Sequence, residues 1–76
     1  MNLQETMQAL YNSEINFSVS CFWDGGFDVK LGGGLYGENW KLTSHCDDVS
    51  GIQVCLVTMA VKQYPNSKFA KEVGLL

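Results

Sequence analysis

At 76 residues the chain has room for one domain with one modest core, which excludes a catalytic domain set beside a separate binding domain. Its formal charge is −3 with a pI near 4.7, and its basic residues are five scattered lysines (Lys30, Lys41, Lys62, Lys68 and Lys71) with no arginine. That balance argues against direct nucleic-acid or anionic-membrane binding, which draws on clustered Lys and Arg, and favours a protein partner with a basic surface.

In chain order, Leu3, Met7, Leu10 and Tyr11 recur at helical spacing while Gln4, Glu5 and Gln8 take other faces, so an amphipathic helix is predicted, stopping at Asn12-Ser13. From Ile15 the period becomes two: Ile15, Phe17, Val19, Cys21 and Trp23 alternate with Asn16, Ser18, Ser20, Phe22 and Asp24, as in a half-buried strand. Asp24-Gly25-Gly26 then gives a strong hairpin signal, because the turn needs a positive φ that glycine adopts at little steric cost. Phe27, Val29 and Leu31 form the return strand. After a bend at Gly32 to Gly34, Tyr36, Trp40 and Leu42 predict a third strand ending near Thr43.

Asp47 or Asp48 is a candidate cap for a second helix running to Tyr64, whose apolar face is Val49, Ile52, Leu56, Met59 and Ala60 with Cys55 beside them. The run "IQVCLVTMAV" is also rich in β-branched residues, but the segment is long for a strand. Pro65-Asn66-Ser67 ends it, and Ser67 is placed to cap a last short turn holding Phe69 and Val73. The expected fold is a single α+β domain over residues 1–76, ordered αβββα, with a three-stranded antiparallel meander and two helices packed on one face.

Several motifs have plain explanations. Gly32-x-Gly34-x-x-Gly37 carries the letters of a dinucleotide fingerprint, but that loop requires a following helix and a βαβ unit, and another strand is expected here. His45-Cys46-Asp47-Asp48 offers metal ligands or a Cys-His pair, yet adjacent side chains diverge; a loop histidine and a helix cap are the simpler reading. The three cysteines, Cys21, Cys46 and Cys55, cannot all pair within the chain and none forms C-x-x-C, which points to a reducing cytoplasm. No basic region precedes an apolar run at the N-terminus, and Ile52 to Val61 is too short to span a bilayer. No catalytic residue, cofactor or metal is expected.

More informative is a second stripe on the second helix: Val54, Val57 and Val61 recur at i, i+3 and i+7 away from the core face. It meets either the first helix or another molecule, a homodimer being the simplest case. Phe22 lies opposite in parity to Phe17 and Val19 and is a second candidate contact, although one isolated surface aromatic carries no meaning by itself. Asp24, Asp28 and Glu38 are candidates for an acidic recognition surface, with solvated turns as the alternative.

"INFSVSCFWDGGFDVKLG" and "YPNSKFAKEVG" together resemble small uncharacterised bacterial and prophage proteins of αβββα organisation. The topology is also similar to the double-stranded-RNA-binding fold, but that family's basic helix start and lysine-rich loop are replaced here by Asp47-Asp48 and glycines, so RNA binding does not transfer. Inhibitors of bacterial defence, including anti-CRISPR proteins, are similar in size, acidity and lack of catalytic residues. The resemblance implies a phage or prophage accessory protein that occupies a site on a larger protein, with Phe22, Val54, Val57 and Val61 for apolar contact and Asp24, Asp28 and Glu38 meeting basic groups. The alternative is a self-associating structural or regulatory domain joined through the valine stripe.

Overall fold

The computed structural model describes residues 1–74; Leu75 and Leu76 lie outside the described residues. Helix α1 spans Leu3–Asn12 and opens on a capping box: the Asn2 side chain accepts the Glu5 N–H at 2.8 Å and the Glu5 carboxylate accepts the Asn2 N–H at 3.0 Å. Its buried residues are Thr6, Ala9 and Leu10, with Leu3 partly buried. Here the sequence expectation needs correcting, because Met7 and Tyr11 are 37% and 75% exposed. The helix is rolled so that its small residues face inward. Thr6 satisfies its hydroxyl locally by donating to the Asn2 carbonyl at 2.8 Å, and the same oxygen accepts from Gln53 of the later helix at 3.4 Å.

Strands β1 (Phe17–Phe22) and β2 (Gly26–Leu31) form the expected hairpin, in a register that pairs Phe17 with Leu31 and Phe22 with Gly26. The loop is therefore Trp23-Asp24-Gly25, closed by the Gly25 N–H donating to the Phe22 carbonyl at 2.8 Å, and the positive φ falls on Gly26 at 84°. Because the turn begins at Trp23, that residue leaves the strand and is 95% exposed, contrary to the parity that placed it inward.

The third strand is also displaced from its expected position. Strand β3 is Leu42–Cys46, antiparallel to β2, and the sheet order is β1-β2-β3. Tyr36 lies instead in a short 3-10 turn, Leu35–Gly37, where it has φ 63°, and Asn39 has φ 55°; neither conformation continues a strand. Trp40 folds back over the glycines, so that a Cβ on Gly33 would lie 2.6 Å from its ring. The glycine-rich loop is thus a cradle for an indole, and β3 follows it with no βαβ crossover.

Helix α2 (Ser50–Gln63) starts differently from the expectation, because neither Asp47 nor Asp48 caps it: its N-cap, Val49, has no side-chain cap bond, and the Asp48 carboxylate accepts from the Ser50 hydroxyl at 3.0 Å in place of a backbone N–H. Its core face is the one read from the sequence, with Ile52, Leu56, Met59 and Ala60 buried, although Val49 is 54% exposed. Ser67 caps α3 (Lys68–Gly74), its hydroxyl oxygen accepting the Ala70 N–H at 3.1 Å, and delivers Phe69 fully buried into the core. That core joins α1, α2, α3, Val29 and Leu31 in one cluster, with α2 lying over β2 and β3. Among the described residues α1 and α3 pack on α2 and on each other, so the helical layer lies on one side of the sheet and leaves the other side open. Among the described residues no helix is long and apolar enough to cross a membrane.

Candidate functional site

The open side of the sheet is built by register. Cross-strand partners share a face, so Ser20, Asp28 and His45 form one row, Ser18, Lys30 and Thr43 the next, and Phe22 stands beside Gly26 at the hairpin end. Asp28, Lys30, Thr43 and His45 line an open cleft of about 410 Å³.

His45 is the centre of this end. Its Nδ1 lies 2.9 Å from Asp28 Oδ1 and its Nε2 lies 3.3 Å from Asp47 Oδ1. The ring reaches this position because Gly26 has no side chain; a Cβ there would be 3.1 Å from Nε2. The hydrogen bond to Asp28 holds the imidazole's pKa above its ordinary 6.5, desolvation opposes this, and the hydrogen bond to Asp47 adds to it. A protonated ring donates to both carboxylates at once, which makes the cluster an acidic patch with one compensating cation. Lys30 lies on the same face.

Cys46 does not join His45. Alternation along β3 turns it to the helical side, where it is half-buried and a Cβ on Gly51 would lie 3.0 Å from its own Cβ. Burial pushes its thiol pKa up, and the neighbouring Cys55 thiol pushes it further. Both effects oppose the thiolate a nucleophile requires. Cys55 Sγ in turn lies 3.6 Å from the Ser44 hydroxyl. Among the described residues no three His, Cys, Asp or Glu side chains converge as metal ligands would.

The residues singled out from the sequence fall in three places. Phe22, 58% exposed, Asp24 in the turn and Asp28 share the hairpin end of the open face. Glu38 lies beyond the opposite end, in the glycine-rich loop, where its carbonyl accepts the Gly34 N–H. The valines sit on α2, behind the sheet: Val54 is 60% exposed and Val61 38%, whereas Val57 packs against the core and divides the stripe.

Two features escaped the sequence reading. Trp23 joins Phe22 as an exposed aromatic at the hairpin tip, signalled only by its place one residue before Asp-Gly. The other is an uncharged groove of about 630 Å³ between α1 and β1, lined by Leu3, Gln4, Met7, Gln8, Tyr11 and Phe17. Its helical stripe was visible in the sequence, but the small residues Thr6 and Ala9, which take α1 close to α2, decide which face is buried. Compared with known protein families, curated proteins and solved structures, the chain matches none.

Proposed function

We propose that the chain is a non-catalytic binding protein that docks its hairpin end against a basic surface of a larger protein. The observation that supports this reading most is the exposure of Trp23 and Phe22 at one end of the sheet, beside the carboxylates of Asp24, Asp28 and Asp47. Aromatic anchors supply large contact area at low conformational cost, and a surrounding rim of charge selects partner and orientation. The partner class is a protein whose lysine-rich groove holds nucleic acid, as in a bacterial defence complex, and the effect is steric exclusion of that ligand by a phage or prophage accessory factor. The separation of His45 and Cys46 onto opposite faces supports a role without nucleophilic chemistry.

The test compares tagged wild-type protein with Trp23→Ala and Asp24→Lys in capture from bacterial lysate, with mass spectrometry of what co-purifies. A stoichiometric partner retained by the wild type and lost by both variants, while circular dichroism shows both still folded, supports the reading. A partner retained equally by all three, or none retained by the wild type, overturns it.

A further inference from the structure

From the α1 groove and the free edge of β1 we infer a second interface, independent of the hairpin end, whose occupant is another copy of this chain. Among the described residues strand β1 ends the sheet with β2 as its one neighbour, so its outer row of backbone groups has no strand to pair with. Folded proteins ordinarily guard such an edge with charge, proline or a covering element. β1 has the sequence Phe-Ser-Val-Ser-Cys-Phe, six residues without charge, proline or glycine. The other edge strand, β3, carries His45 and is flanked by Lys41 and Asp47.

The helical layer is also off-centre. Helix α2 lies over β2 and β3, so the inward side of β1 is incompletely covered: Phe17 and Val19 are only half-buried and Cys21 is exposed. The groove between α1 and β1 continues this apolar strip through Met7 and Tyr11.

Charge identifies the occupant. In a twofold dimer the same patch meets itself, so a patch dominated by carboxylates brings like charges together. The hairpin end, with Asp24, Asp28 and Asp47, is therefore poorly suited to self-contact in a chain of net charge −3. Among the described residues the groove has no charged lining residue, and the one carboxylate on α1, Glu5, is held back at the start of the helix by the Asn2 N–H. An uncharged face offers nothing to complement a basic partner and no repulsion to a copy of itself.

The geometry closes as well. Antiparallel pairing about a twofold normal to the sheet joins residues of like parity. Centred on Val19, it sets Phe17 of one copy against Cys21 of the other and Ser18 against Ser20, keeping Phe17, Val19 and Cys21 on the helical side while Phe22 stays on the open face. The result is a six-stranded sheet ordered β3-β2-β1-β1-β2-β3, with the two α1 grooves meeting over the seam.

Light scattering under reducing conditions between about 1 and 100 µM tests this. Wild-type protein should give twice the chain mass of 8.4 kDa. Cys21→Lys and Tyr11→Lys, both at exposed positions, should each weaken the dimer by about tenfold or more while circular dichroism shows them folded. Hydrogen exchange at the β1 amides should slow as concentration rises in wild type and not in Cys21→Lys. A monomer throughout the range overturns the inference. So does a dimer unaffected by both lysines but broken by Val61→Asp, which places the contact on α2. Loss of partner capture in Trp23→Ala with the dimer intact shows that the two interfaces are separate.

Discussion

Gly26 is the residue on which both the hairpin and the position of His45 depend, and replacing it with alanine tests that dependence. Its φ of 84° is strained for any residue with a Cβ, at a cost of about 1–2 kcal/mol. The added Cβ would also lie 2.7 Å from the Cys46 carbonyl oxygen, a backbone atom held in β3, and 3.1 Å from His45 Nε2. Forcing that contact apart adds roughly 1–3 kcal/mol. Gly26→Ala should therefore lose about 2–5 kcal/mol. A domain of this length holds only about 4–11 kcal/mol in all, so even the lower figure depresses Tm by about 8–16 °C.

The adjacent glycine is the control. A Cβ on Gly25 meets only the Phe22 Cβ, at an ordinary 3.7 Å, and its φ is not positive. Gly25→Ala should be neutral or stabilising by up to about 1 kcal/mol, through a less flexible unfolded chain. Gly26→Asn separates the two costs, since asparagine tolerates positive φ but still brings a Cβ against the carbonyl. Urea denaturation of the three variants ranks them. Equal destabilisation by Gly25→Ala and Gly26→Ala, or a Gly26→Ala midpoint matching wild type, would refute the assigned turn.

His45 should titrate above 6.5 by NMR, and Asp28→Asn should bring it back down, because the Asp28 hydrogen bond is the largest cause of the shift. The folded chain then binds this proton more tightly than the unfolded one, so the stability it contributes is full below pH 6.5 and is lost as pH rises through the raised folded value; a titration at or below 6.5 would contradict the geometry. Phe69→Ala empties a fully buried site where α3 meets the core and should cost about 3–5 kcal/mol in urea denaturation, whereas a loss under about 1 kcal/mol would mean α3 is not part of the cooperative fold.

The parts of the fold that a sequence announces are those with a strong local signal. The hairpin was readable because Asp24-Gly25-Gly26 interrupts two alternating runs, and α2 because four core residues recur at helical spacing. The third strand was misplaced because Tyr36, Trp40 and Leu42 share parity by accident. Only the folded loop shows that Trp40 turns back onto Gly33. The strand that forms points Leu42, Ser44 and Cys46 inward, a weak apolar signal, and Ser44 is tolerated there by its contact with Cys55. His45 consequently looked like a loop residue, and its pairing with Asp28, 17 positions away, depends wholly on register. The face of α1 was missed for a related reason: hydrophobicity ranks Met7 and Tyr11 above Thr6 and Ala9, whereas close helix packing selects the small residues.

The same positions that set the fold also set what the surface presents. A two-residue turn at Asp24-Gly25 would have kept Trp23 in the strand, with its side chain inward beside Cys21. The three-residue loop, closed by the left-handed Gly26, begins one residue earlier and places the indole outside. Gly26 also leaves the space in which His45 crosses to Asp28, so one missing side chain accounts for both an exposed anchor and the charge pattern around it. A substitution there should therefore alter recognition along with stability, and Trp23→Ala should alter recognition alone. Because 95% of the Trp23 surface is already in solvent, its removal takes almost nothing from the core, and partner affinity is the property left for it to change.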